Sequence, residues 1–373
     1  MSMILPLTSY EEIKEKSVYG RYLSHEMVAK YLESIKQEFE IKEVGLSVRQ
    51  KKIHTITLGT GKTKILMWSQ MHGNESTTTK AVFDFINFLR TDAESSRQIL
   101  ENCTIKIIPM LNPDGADAYT RVNANEVDLN RDAQNRTQPE SIVLRKVYEG
   151  FSPDFCFNLH DQRTIFNVGT TPKPATVSFL APAYNEERSI SPSRAISMKL
   201  IVAMNDTLQK LIPDQVGRYD DSFNANCVGD TFQMMNTPTI LFESGHYPND
   251  YEREETRWYI FQALLKGVAV ISENKVNQFD LESYQQIPEN QKLFLDLLLK
   301  NVQSLTGKKN TPNSCAFHFK ETLIDGKIEF VPELQEEIDL RKFYFHATYD
   351  CAVTSDLQAL KSQIYYPDIS SSF

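Results

Sequence analysis

Short runs that are apolar throughout, alternating with segments of helical periodicity, constrain this chain more than any other feature. Residues 65–71 form one such run, and 77–89 then place apolar side chains at 81, 82, 85, 86, 88 and 89, a helix repeat. Further buried-strand candidates are 104–111, 155–159, 177–180 and 239–242, with helical spacing at about 193–212 and 250–272. A strand apolar on both faces has to be covered on both faces. The pattern predicts an α/β fold with a mixed, mostly parallel central sheet and helices on both sides. Upstream, residues 9–38 read as helical. Val44, Leu46 and Val48 alternate with polar residues and, with 53–58, predict a hairpin.

The character changes beyond Asn274. A helix is expected at about 288–305, from Phe294, Leu295, Leu297, Leu298 and Val302. A polar stretch, 306–313, then leads into β-rich segments near 316–319, 328–331 and 343–348. The expected division is a large domain over 1–274 and a small α+β, β-rich domain over 275–373. A chain of 373 residues can bury that much core. Its 49 acidic and 40 basic side chains give a net charge of −9, which disfavours a nucleic-acid partner. No stretch approaches the roughly 18 apolar residues of a membrane span, and the apolar run at 3–7 is too short for a signal-peptide core. Five scattered cysteines argue against a disulfide scaffold, so a cytoplasmic setting is expected. No propeptide is expected, and the oligomeric state stays open.

Three potential metal ligands fall just past or at the ends of the apolar runs. His72 and Glu75, in His-Gly-Asn-Glu, follow the first run; His160 closes the run at 155–159. In a parallel sheet, ligands collect at the carboxyl ends of strands. Two imidazoles and a carboxylate form a zinc set that leaves a fourth position for water. Glu243 closes the run at 239–242, and burial there would raise its pKa and suit it to accept a proton from water. Between these lie two turn-rich stretches, Asn-Pro-Asp-Gly at 112–115 and Asp-Leu-Asn-Arg at 128–131. Arg121 and Arg131 are guanidinium groups suited to a carboxylate or a developing oxyanion.

The ordered set His72-x-x-Glu75, 112–115, 128–131, His160 and Glu243, spanning about residues 40–270, resembles the zinc carboxypeptidase family of the carboxypeptidase A and B type. The resemblance implies one zinc ion held by His72, Glu75 and His160, within a catalytic domain over 1–274. It implies that Asp128 orients His72, that Arg121 polarises the scissile carbonyl, and that Asn130 and Arg131 grip the substrate's terminal carboxylate. Glu243 would be the general base, and Tyr219 the candidate for the family's mobile tyrosine. The substrate class implied is a peptide or small amide.

Two features depart from the pattern. Asp132 follows Arg131 and is positioned in sequence to pair with it, and His246 stands three residues after Glu243. Either Val228 or Asp230 takes the position that shapes the specificity pocket, depending on one gap. Related acylases that remove acyl groups from amino acids share the zinc motifs, and a catalytically silent peptide-binding or cell-wall-binding protein could share the fold.

Overall fold

The computed structural model describes residues 4–308, 312–336 and 338–373. Residues 1–3, of which Met3 opens the apolar run at 3–7, residues 309–311 of the polar stretch at 306–313, and Glu337 lie outside the described residues. The strands before residue 250 are β1 (Glu40–Leu46), β2 (Lys52–Leu58), β3 (Thr63–Ser69), β4 (Cys103–Ile108), β5 (Phe155–Asp161), the two-residue β6 (Asn167–Val168), β7 (Val177–Leu180), β8 (Val216–Arg218) and β9 (Thr239–Ser244). All but β6 join one eight-stranded sheet in the order β1-β2-β4-β3-β5-β9-β7-β8. Its centre, β4-β3-β5-β9, is parallel. The hairpin β1–β2 is antiparallel, as are β2–β4 and β7–β9. The α/β reading of the sequence therefore holds, with antiparallel pairs toward both sides of the sheet.

The helices explain why the central strands are apolar on both faces. In chain order they are α1 (Leu7–Ile13), α2 (His25–Ile35), α3 (Thr77–Leu89), α4 (Glu94–Asn102), α5 (Pro113–Ala118), α6 (Pro139–Phe151), α7 (Pro192–Leu208), α8 (Val228–Met234) and α9 (Glu254–Ser272). Successive side chains of a strand point to opposite faces. Ile65, Met67, Phe157, Leu159, Ile240 and Phe242 enter the core beneath α3, α7 and α9. Leu66, Trp68 and Cys156 enter a second core with Val143, Leu144 and Tyr148 of α6 and Phe232 of α8. All five cysteines are free thiols.

The expected helix at 9–38 is two helices with an irregular segment between them. Gly20 in that segment has φ +71°, a conformation that favours glycine, and Ser24 caps α2 through the Met27 amide. The segment is tied down by buried polar groups rather than by helical packing. Asp84 accepts the Tyr10 hydroxyl at 2.6 Å and the Glu15 amide at 2.7 Å, and pairs with Arg257 at 2.6 Å. Removing one partner of such a pair would strand a buried charge, at a cost of about 3–5 kcal/mol.

Past α9 the packing does not change at once. Val276, Tyr284 and Ile287, beyond the expected junction at 274/275, still join the main core, and β10 (Asn290–Gln291) pairs with β6. The C-terminal unit is a four-stranded sheet of β11 (Phe294–Lys300), β12 (Ser314–Ile324), β13 (Lys327–Gln335) and β14 (Tyr344–Asp350), ordered β13-β12-β11-β14, with its own core around Leu297, Leu299 and Phe317. The helix expected at 288–305 is thus corrected: its apolar heart is strand β11. A central strand buried on both faces loses the period-2 alternation, and a short leucine-rich run then fits either structure. No described helix is long and apolar enough to cross a membrane.

Candidate active site

Parallel strands end at one edge, and the site is built there. His160 and Glu243 are direct neighbours in the β5–β9 register, and Ser69 at the end of β3 pairs with Leu159. Because the pleat alternates, Asn158 and His160 on β5 share a face with their register partners Leu241 and Glu243 on β9; all four line one cleft of about 970 Å³. His72 reaches the same cleft from the turn after β3. That turn is pressed against another: a Cβ on Gly73 would lie 1.9 Å from the Gly115 carbonyl carbon. Asn112 holds the second turn, accepting the Gly115 amide at 2.9 Å and donating to Met71 O and Val122 O, both at 3.2 Å. The Asn-Pro-Asp-Gly motif therefore shapes the backbone under His72.

The three donors meet closely. His72 Nδ1 lies 2.8 Å from Glu75 Oε1, His160 Nδ1 2.7 Å from Glu75 Oε2, and the two Nδ1 atoms 3.1 Å apart. The other ring nitrogen of His72, Nε2, lies 3.0 Å from Asp128 Oδ1. Donation there leaves Nδ1 with a lone pair in the neutral ring. Lone pairs then face one another in a buried space, an arrangement that a divalent cation would satisfy. These are the donor types of a three-residue zinc site. The charges fit as well. Burial alone would raise the Glu75 carboxyl, but His72 and His160 hold it well below the usual range. Asp128 is likewise opposed by burial yet held low by His72 and Arg121. Burial pushes His160 down, whereas for His72 the neighbouring Glu75 and Asp128 outweigh burial and raise it.

Glu243 contrasts with Glu75. Burial, reinforced by the negative charges of Glu75 and Asp161, pushes its carboxyl well above the usual range. Two carboxylates in one cleft are thus driven apart, one held ionised and one ready to carry a proton. Arg121 joins Asp128 to Glu75: its Nε donates to Asp128 Oδ2 at 3.1 Å and its Nη1 to Glu75 Oε1 at 3.3 Å, while its side chain stays 47% exposed. Asn130 accepts the Val228 amide at 3.0 Å, and Arg131 is exposed at the cleft, its guanidinium donating to the Asn130 carbonyl at 2.8 Å. Tyr219 follows β8, lies tilted against Phe166 with ring centroids 5.2 Å apart and lines the cleft; burial and the nearby Glu243 push its phenol pKa up.

Residues 25–165 match the family model described as zinc carboxypeptidase. That stretch of the chain is similar to the zinc carboxypeptidase family. Carboxypeptidase 2 of Trichophyton rubrum is 26% identical over 100 residues, 26% of this chain and 19% of that protein. Human carboxypeptidase D is 22% identical over 225 residues, 49% of this chain and 16% of that protein. The chain thus spans about a fifth of the length of the curated relatives it matches. A metallo-carboxypeptidase structure from Burkholderia cenocepacia superposes with a TM-score of 0.55 at 17% identity, over 68% of this chain and 70% of that one, and shows the shared fold.

Around this cleft, several positions left open by the sequence now have places. Asp132 does not pair with Arg131. It accepts the Thr137 amide and hydroxyl at 2.9 Å and the Gln138 amide at 3.0 Å, shaping the turn into α6. Val228 packs in the core with Trp68, while Asp230 lines the cleft beside Leu180, Pro182 and Leu241. Burial raises the Asp230 carboxyl to about 7. His246 is buried between Tyr251 and His346, with ring centroids at 4.7 and 4.3 Å, and does not line the cleft.

Other cleft or supporting groups escaped the sequence reading. Asp161 accepts the Thr77 and Thr78 amides at the start of α3. Arg253 fixes the backbone at the end of β9 and just beyond β5, donating to Ser244 O at 2.6 Å and Gln162 O at 2.8 Å. Arg21, Tyr119 and Glu321 line the cleft together. The adjacency of Asp161 to His160 was the one available signal; the others sit in polar stretches that look like ordinary surface.

Proposed function

We propose that this protein is a zinc-dependent hydrolase that removes the C-terminal residue of peptides. One observation carries the reading. Two histidine Nδ1 atoms and a carboxylate meet within about 3 Å of one another, beside a second buried carboxylate whose pKa is driven up.

His72, Glu75 and His160 would hold one zinc ion, and Asp128 would fix the His72 tautomer. Bound there, zinc would supply Lewis acidity and make water acidic enough to attack near neutral pH. Glu243 takes a proton from the attacking water and passes it to the leaving amine nitrogen, so the water's elements are divided between the two products. Arg121 turns its half-exposed guanidinium toward the carbonyl oxygen as negative charge develops. Arg131 and the Asn130 amide grip the terminal carboxylate, and Tyr219 flanks the bound residue. Asp230, at the wall formed by Leu180, Pro182 and Leu241, favours a basic terminal side chain.

The test is a panel of peptides with free and amidated C-termini, alongside N-acyl amino acids, given to zinc-loaded protein of measured metal content. Hydrolysis of free-carboxylate peptides alone is expected. Cleavage of the N-acyl amino acids in their place would move the protein to the deacylase class, and no turnover with zinc in place would make it a binding protein.

A further inference from the structure

The C-terminal unit is part of the cleft. His318, Phe319, Lys320 and Glu321 of β12 and Glu333 of β13 line the same space as the three donors. Glu321 makes two bonds out of its own unit: its Oε2 accepts Nη2 of Arg21 at 2.9 Å and also the Tyr119 hydroxyl. Arg21 is 4% exposed, and its Nε and Nη1 have no hydrogen-bond partner. Among the described residues Glu321 is its one ion-pair partner, so the buried charge of Arg21 depends on this strand staying where it is. Tyr119, two residues before Arg121, has φ +53° and is held at its hydroxyl by the same carboxylate.

The unit is bound to the site from a second direction. Phe294 N donates to Ile165 O at 3.1 Å, His346 Nε2 lies 2.9 Å from Thr164 O, and the Tyr344 hydroxyl donates to Thr170 O at 2.6 Å. These contacts hold the segment that leaves β5 just after His160. Tyr251 adds ring contacts to Phe319 and Phe330 at 5.4 and 5.2 Å. The wall is thus attached at two separate places, at Glu321 and along this segment. Asn130 joins the cleft by a different route, bonded to the start of α8, the helix that carries Asp230. The terminal-residue pocket and the C-terminal unit are thus built from separate elements.

We propose that the β12–β13 edge, locked by Glu321 to Arg21 and Tyr119, restricts the cleft to short peptides by closing the path of an N-terminal extension. This rests on the hydrolase reading and names its substrate class. A cleft of about 970 Å³ lies at the upper end of sites for small ligands, in keeping with a short substrate.

The experiment measures binding, so that it does not depend on turnover. Zinc-loaded full-length Glu243→Gln protein is titrated by calorimetry with peptides that share an Ala-Arg C-terminus and lengthen one residue at a time to a decapeptide. Affinity is expected to fall by at least about tenfold from the shortest to the longest. Adding Glu321→Gln should shrink that fall to less than about threefold. Equal affinity at all lengths, or an unchanged fall in the Glu321→Gln protein, overturns the proposal. If thermal melting shows that Glu321→Gln does not fold, Tyr119→Phe, which strands no charge, takes its place. The length dependence should then weaken in the same direction, and an undiminished dependence overturns the lock. Length-limited binding without hydrolysis by the zinc-loaded wild type would remove the hydrolase reading and keep the wall. Hydrolysis with length-independent binding would do the reverse.

Discussion

The two flanks of the cleft are made in different ways. On one, His72, His160 and Glu243 stand at the carboxyl edge of three adjacent parallel strands, and backbone register alone brings His160 beside Glu243. On the other, Glu321 sits in the last third of β12 and acquires meaning only through Arg21 and Tyr119, which belong to distant parts of the chain. The first flank is positioned by topology and the second by packing between two units. Chemistry set at strand ends is therefore robust and recognisable, whereas a boundary set by packing can be altered with little change to the chemistry.

The sharpest way to break this contrast is at Glu243. Glu243→Gln should lower kcat by about a thousandfold while metal analysis still finds zinc in place. Loss of metal together with activity would show that Glu243 belongs to the donor set and not to proton transfer. Next in size is Arg121. Because it faces Asp128 and Glu75 from outside the donors, Arg121→Ala should cost about a hundredfold in kcat with a smaller change in KM. An effect confined to KM would place it with the substrate-gripping residues.

A pH titration sharpens the comparison at the pocket wall. Burial raises Asp230 to about 7, with Arg194 and Arg131 the charged groups that oppose the shift. Its carboxyl is neutral below that value and gains its charge above it. The kcat/KM ratio of arginine-ended to leucine-ended peptides should therefore rise severalfold, up to roughly tenfold, from pH 6 to pH 8. Taking a ratio cancels the pH dependence of Glu243. Asp230→Asn should flatten the profile; a flat wild-type ratio would remove Asp230 from specificity. The smallest effect is expected at the junction of the units. His246 is buried with both ring nitrogens unpartnered, and burial and His346 push its pKa well down. His246→Phe keeps the ring packing and should change kcat by less than about twofold. A large loss would tie the junction to catalysis and erase the distinction between the flanks.

Legibility followed the same division. The runs at 65–71, 104–111, 155–159 and 239–242 were readable because strands covered on both faces are apolar throughout. The residues closing those runs could then be placed at one edge. The leucine-rich run at 294–300 shows the limit of that logic. Asp296 interrupts it, and it becomes a strand because β12 and β14 supply its partners and Tyr251 and the Phe319 amide satisfy the carboxylate. Asp132 was misread for a similar reason: adjacency to Arg131 suggested an ion pair, but the local turn offered three closer donors.

The sequence by itself determined the central sheet and the edge at which His72, Glu75 and His160 meet, because hydrophobic periodicity and strand direction are local properties that add up along the chain. Only the tertiary structure decided that Gly73 must pass Gly115, that Asp230 and not Val228 faces the cleft, and that a distant strand walls it through Glu321. Those outcomes depend on which surfaces meet, and no local pattern records that.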